Sequence, residues 1–173
     1  MFFKESISAE EIQKEVARVA QEINADYVGK EPLFVCVLNG AFMYAADLLK
    51  HITLPCEITF VRMKSYEGTE TTGKVNMLIP LQVDVKGRDV IVIEDIIDTG
   101  RTLAHLKQNL LYRGAKEVKI CTFLNKPSRR VVDVDVDYCG FVIPDEFVVG
   151  YGLDYAEKYR NLDYIGVLDT NYL

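Results

Sequence analysis

Residues 90–103 read Val90-Ile91-Val92-Ile93-Glu94-Asp95-Ile96-Ile97-Asp98-Thr99-Gly100-Arg101-Thr102-Leu103. The four consecutive β-branched residues leave no position alternating toward water, as in a strand covered on both faces. Three carboxylates within five positions follow, and then a small, hydroxyl-bearing turn. That turn opens a helical pattern in which Leu103, Leu106, Leu110 and Leu111 share a face. Buried strand, acidic tip and helix N-terminus succeed one another without a spare residue. This order constrains the chain to a layered α/β architecture with the tip at the carboxyl edge of a parallel sheet, where ligands collect.

The rest of the chain repeats the alternation of strand and helix. Ser8 and Glu11 form a capping box ahead of Ile12, Val16, Val19, Ala20 and Ile23, predicting a helix over 9–25. Leu33 to Leu38 is a second continuous apolar run; Asn39-Gly40 ends it, and a helical pattern continues from Phe42 to about His51. Residues 57–64 alternate as a strand with one solvated side. The stretch 65–74, with two glycines and four Ser/Thr, is expected to be a long flexible loop, either a lid or a hairpin tip. Asn76 to Ile79 would return as its partner strand. The helix after Thr102 should stop at Gly114, followed by a strand over 118–124. Residues 125–139 read as a basic and then acidic connection, and Tyr164 to Leu168 as a last short strand. No repeat, low-complexity tract or linker interrupts residues 1–173, so one domain is expected.

Composition narrows the function classes. A net charge of −6 argues against a general nucleic-acid binder. Cys36, Cys56, Cys121 and Cys139 show neither a C-x-x-C pair nor zinc spacing, and Cys36 and Cys121 sit in apolar runs as small buried hydrophobes. The N-terminal residues lack the apolar core of a signal peptide, and no run approaches membrane-spanning length, so a cytoplasmic protein is expected. No P-loop, no G-x-G-x-x-G after a strand and no EF-hand spacing occurs. The two histidines, His51 and His105, fall on helix patterns as surface residues, which makes a Ser-His-Asp hydrolase hard to assemble.

The carboxylates and the turn suit two kinds of partner. Crowded acids repel one another unless a cation or hydroxyl donors compensate, and the adjacent Glu94 and Asp95 can accept bonds from the vicinal hydroxyls of a ribose. From Asp98 to Thr102 the helix N-terminus, the hydroxyls of Thr99 and Thr102, Gly100 and the charge of Arg101 suit a terminal phosphate. The alternative is a solvated acidic helix start favoured by the helix dipole. It accounts for one or two acids better than for all three.

Four hydrophobic residues, two acids, two hydrophobics and Asp-Thr-Gly-x-Thr resemble the phosphoribosyl-pyrophosphate (PRPP) signature of the type I phosphoribosyltransferases. Val37-Leu38-Asn39-Gly40-Ala41-Phe42, Lys64-Ser65-Tyr66, Leu124-Asn125-Lys126 and the segment Pro144 to Tyr155 narrow the resemblance to its hypoxanthine(-guanine) members, in order and over nearly the whole length. The resemblance implies an α/β fold with a central, mostly parallel sheet flanked by helices, a small hood and a flexible lid loop. It implies a purine-salvage transferase that converts hypoxanthine, and guanine, with PRPP into the nucleoside monophosphate and pyrophosphate, with Mg²⁺ as cofactor. Glu94 and Asp95 would hold the ribose hydroxyls and help organise the metal, and Asp98 would be the general acid/base at purine N7. Asp98, Thr99, Gly100, Arg101 and Thr102 would take the 5′-phosphate. Leu38, Asn39, Gly40 and Arg160 would take pyrophosphate. Ser65 and Tyr66 would belong to the lid. Lys126 would read the purine 6-oxygen, Phe147 would stack on the ring, the Val148 backbone would read its edge, and Asp154 would ligate a second Mg²⁺. A homodimer or homotetramer, with no nucleic-acid or membrane partner, is expected.

Taken singly, the same residues have plainer readings: Lys126 as a solvated loop lysine, Phe147 as core, Asp154 and Arg160 as a helix-spaced ion pair. Asn39 stands where many relatives carry Lys or Arg, and Glu146 where some carry Lys beside the stacking Phe. Rival functions are a PRPP-sensing regulator that binds nucleic acid, a phospho-acceptor signalling domain built on Glu94 and Asp95, and a transferase for xanthine or a pyrimidine.

Overall fold

The computed structural model describes residues 3–64, 76–169 and 171. In chain order the elements are β1 (Phe3–Ile7), α1 (Ala9–Asp26), β2 (Leu33–Leu38), α2 (Phe42–Lys50), β3 (Glu57–Lys64), β4 (Asn76–Ile79) and β5 (Asp89–Ile97). They continue with α3 (Arg101–Tyr112), β6 (Glu117–Asn125), a 3₁₀ turn at Pro127–Arg129, β7 (Tyr138–Val142), β8 (Val148–Val149) and β9 (Ile165–Leu168). A six-stranded sheet runs in the order β4-β3-β2-β5-β6-β7. All its neighbours pair in parallel except β4, which returns antiparallel on β3. The fold is thus α/β with a mainly parallel central sheet flanked by helices, as expected.

The apolar runs of β2 and β5 are continuous because both faces are covered. Phe34, Cys36, Ile91 and Ile93 pack on one face with Ile12, Val16, Val19 and Ile23 of α1 and Tyr44, Ala45 and Leu48 of α2. Leu33, Val35, Val90 and Val92 pack on the other with Leu103, Leu106 and Leu110 of α3. Alternate side chains along one strand therefore enter two separate cores. The Ser8–Glu11 capping box closes as read from the sequence: Ser8 N–H donates to Glu11 Oε2 at 2.7 Å and Glu11 N–H to Ser8 Oγ at 3.2 Å. Gly114 ends α3 with a left-handed φ of 93°. Cys36 and Cys121 are buried free thiols, and both histidines are exposed.

Three strands, β1, β7 and β8, carry no strand pattern in the sequence. β1 and β8 join the expected β9 in a separate antiparallel sheet in the order β1-β9-β8, and β7 extends the main sheet out of what read as a connection. Residues 154–160 form turns, not a helix, so Asp154 and Arg160 are not a helix-spaced pair. Among the described residues, no helix is long and apolar enough to cross a membrane.

Candidate active site

The site grows from the carboxyl ends of β2, β5 and β6. β2 ends at a cis peptide between Leu38 and Asn39. Gly40 follows, and a Cβ there would collide with the Asp95 carboxylate, so the turn after β2 and the tip of β5 lie in direct contact. β5 carries Glu94 and Asp95 and gives way to the turn Asp98-Thr99-Gly100. Gly100 has a φ of +84°, and a Cβ there would sit 2.7 Å from the Val132 carbonyl oxygen, so both conformation and space call for glycine. α3 has no side-chain cap at Gly100, and the Arg101 N–H donates to Thr99 Oγ1 at a long 3.5 Å, so the first turn can still present N–H groups to an anion.

The segment after β6 straps this turn from outside. Lys126 N–H donates to Ile97 O at 3.0 Å, Val131 N–H and Val132 N–H both donate to Thr99 O (2.9 and 3.1 Å), and Arg130 Nη1 donates to Asp98 O at 3.1 Å. Arg130 also bonds the Asn125 side chain.

Two cavities meet at this edge. The first, about 370 Å³, is walled by Leu38, Asn39 and Gly40, by 94–100, by Thr102, and by Asp154 and Arg160. The second, about 210 Å³, is walled by Lys126, Phe147, Val148 and Leu153, and shares Asp95, Ile96 and Asp154 with the first. One compartment is rich in carboxylates, hydroxyls and backbone N–H groups; the other offers apolar walls and one ammonium. A larger open hollow of about 490 Å³ lies against β1 and β9 and shares no residue with either.

Charge within the site is strongly organised. Glu94 is buried, and its Oε1 accepts the Asp95 N–H at 2.9 Å. Burial first, and then the neighbouring charge of Asp95, push the Glu94 carboxyl well above the usual range. Asp95 Oδ1 accepts the Ile96 N–H at 2.6 Å. Asp98 pairs with Arg129 Nε at 2.9 Å. Arg160 donates from Nη1 to Gly152 O at 2.7 Å and sets Nη2 3.4 Å from Asp154 and 3.3 Å from Glu157. Lys126 is only 8% exposed and lies 3.6 Å from Asp145, which corrects its reading as a solvated loop lysine. Phe147 is 47% exposed, edge-on to Tyr155 at 5.8 Å, which corrects its reading as core.

Most residues singled out from the sequence come together here. Leu38, Asn39, Gly40, Glu94, Asp95, Asp98, Thr99, Gly100, Thr102, Asp154 and Arg160 share the first cavity; Lys126, Phe147 and Val148 share the second. Arg101 is exposed and stands outside both walls. Ser65 and Tyr66 lie outside the described residues. Arg129, Arg130 and Asp145 were not singled out. Their signal was the run Lys126-Pro127-Ser128-Arg129-Arg130, four residues of which are basic or proline in an acidic chain.

Residues 5–156 match the family model described as the phosphoribosyl transferase domain. The chain belongs to the phosphoribosyltransferase family. It is 50% identical over 163 residues to the hypoxanthine-guanine phosphoribosyltransferase of Bacillus subtilis strain 168, covering 94% of this chain and 91% of that protein. It is 51% identical over 163 residues to the bifunctional protein TilS/HprT of Listeria innocua, covering 94% of this chain but spanning only 25% of the length of that relative. A crystal structure of a hypoxanthine-guanine phosphoribosyltransferase from Bacillus anthracis superposes with a TM-score of 0.90 at 48% identity over 95% of each chain. In this phosphoribosyltransferase, the strand tip at Glu94 and Asp95 and the turn at 98–100 form one wall of the cleft.

Proposed function

We propose that this phosphoribosyltransferase transfers the phosphoribosyl group of PRPP to hypoxanthine or guanine, forming the nucleoside monophosphate and releasing pyrophosphate. The observation that carries this reading is the joining of two unlike compartments at Asp95, Ile96 and Asp154. An anion-binding cleft opens directly into a hollow bearing Lys126 and Phe147, groups suited to a 6-oxygen and a flat ring. The names of the relatives point the same way.

In this reading, the turn at 98–102 takes the 5′-phosphate, Leu38–Gly40 and Arg160 take pyrophosphate, and Glu94 and Asp95 take the ribose hydroxyls. Positive charge develops on the ribose as the anomeric bond breaks, and the carboxylates at the tip of β5 stabilise it. Asp98 moves the proton at purine N7. Lys126 donates to the 6-oxygen, Phe147 stacks, and the Val148 backbone reads the ring edge.

The donor set fits Mg²⁺ arriving with its substrate. Among the described residues, no three His, Cys, Asp or Glu side chains form a ready cage. Mg²⁺ characteristically uses one or two carboxylates together with substrate phosphates. Asp95 and Asp154, walls of both cavities, are such carboxylates, and a cation near Glu94 would relieve the crowding that pushes its carboxyl up. The metal would supply charge neutralisation at the leaving pyrophosphate.

A coupled assay of hypoxanthine, guanine, xanthine, adenine and uracil, each with PRPP and Mg²⁺, tests the substrate class. Turnover of hypoxanthine and guanine well above the other three is expected; a preference for uracil or adenine would overturn the reading. Asp98→Asn should lower kcat about 10²-fold or more, the scale of general acid/base catalysis, with the KM for PRPP little changed.

A further inference from the structure

We propose that Arg129 is a positioning residue for Asp98, anchored at its far end by Asp145, and that the pair ties the acid/base carboxylate to Lys126. The inference rests on the acid/base reading of Asp98 given above. Arg129 Nε lies 2.9 Å from Asp98 Oδ1, and its Nη1 lies 3.8 Å from Asp145 Oδ2. The other oxygen of Asp145, Oδ1, lies 3.6 Å from Lys126 Nζ. Four alternating charges thus run from the anion-binding cleft into the purine hollow, and each oxygen of Asp145 faces a different cation.

The backbone builds this chain of charges deliberately close to the strand tip. Asp98 and Arg129 are 31 residues apart in sequence. They meet because Lys126 N–H bonds Ile97 O, at the end of β5, and the 3₁₀ turn that follows closes with Arg129 N–H on Lys126 O at 3.1 Å. Arg130, Val131 and Val132 then bond Asp98 O and Thr99 O, fixing the turn that carries Asp98. The side chains of Arg129, Asp98 and Asp145 are each about half exposed, at 50%, 45% and 53%. Ion pairs this exposed contribute little to folding, so the network's effect lies in where it holds the Asp98 carboxylate. An aspartate at a strand-to-helix turn has several rotamers, and proton transfer needs one of them within hydrogen-bond reach of the base. A charge-assisted bond from Arg129 to Oδ1 fixes the carboxylate plane and presents the second oxygen for the proton.

Steady-state kinetics of Arg129→Gln, with and without Asp98→Asn, together with melting temperatures, test this. Arg129→Gln should lower kcat about tenfold, a fraction of the full acid/base contribution, with the KM for PRPP and the melting temperature nearly unchanged. On the Asp98→Asn background the same change should remove less than about twofold more, because residues acting as a unit are not additive. Asp145→Asn should act on kcat in the same direction, and an unchanged kcat there would overturn the part assigned to Asp145. A loss from Arg129→Gln that repeats in full on the Asp98→Asn background, or no loss in the parent, would overturn the positioning role alone. Unchanged turnover in Asp98→Asn by itself would overturn the acid/base reading and the role of Arg129 with it.

Discussion

Gly40 and Gly152 show how single residues divide the work of the cleft between function and scaffold. A methyl group at Gly40 would first meet the Asp95 side chain, whereas one at Gly152 would first meet the Gly40 backbone carbonyl, at a φ of +99°. Two different outcomes follow. Gly40→Ala should displace the Asp95 carboxylate and raise the KM for PRPP about tenfold while leaving the denaturation midpoint nearly unchanged, since one short side chain can swing away. Gly152→Ala has no such release, and its left-handed backbone adds strain, so denaturant titration should show a loss of about 1–3 kcal/mol. Equal stability losses in the two variants would show that Asp95 is as fixed as the backbone. At this scale the sequence was most informative where a residue's chemistry is its signal. Glu94, Asp95, Asp98 and Thr102 all stand in the cleft wall. It was least informative where burial decides: in sequence Lys126 lies beside Pro127, Arg129 and Arg130, and only folding buries it and sets it 3.6 Å from Asp145.

Elements were legible in proportion to how local their causes are. The helix α1 begins where Ser8 and Glu11 cap each other, three residues apart, and its buried face follows from spacing alone. Ser8→Ala should lower unfolding stability by about 1 kcal/mol, the usual value of such a cap, with catalysis unaffected; no measurable loss would mean that tertiary packing alone sets the start of the helix. β2 and β5 were legible for a similar reason, as runs too apolar to face water on either side. β1, β7 and β8 were not. β1 reads Phe-Lys-Glu-Ser-Ile and becomes a strand only by pairing with β9, at the other end of the domain. β8 is two residues long. β7 contains Gly140, where a Cβ would sit 2.6 Å from the Phe123 carbonyl oxygen, so the residue that weakens the strand pattern is the one that lets the strand approach β6. These partners are distant in sequence, and no window of neighbouring residues contains them.

The whole molecule protects its interior thiols by layering. Cys36 sits in the sheet between covered faces, and burial first, then the charges of Glu94 and Asp95, push its thiol from the ordinary 9.0 up to about 12. The folded protein therefore holds this proton more tightly than the unfolded chain. The corresponding stability is fully present below pH 9 and is lost as pH rises toward 12. Cys36→Ala should lose less stability than the parent between these limits, measured as the difference in denaturant midpoint at each pH; parallel curves would show that the thiol does not titrate on unfolding. The two-sheet arrangement also sets an order of assembly. The turn at 98–100 and the Leu38–Gly40 turn belong to strands that pair within residues 33–125, and residues 126–132 strap the first of them, so this wall of the cleft rests on contacts within residues 33–132. Val148 pairs with β9, which in turn pairs with β1, so the hollow bearing Lys126 and Phe147 rests on strands more than 150 residues apart in sequence. Folding therefore passes through a stage in which the carboxylate-bearing wall of the cleft already stands while the hollow beside it, with Lys126 and Phe147, has yet to close.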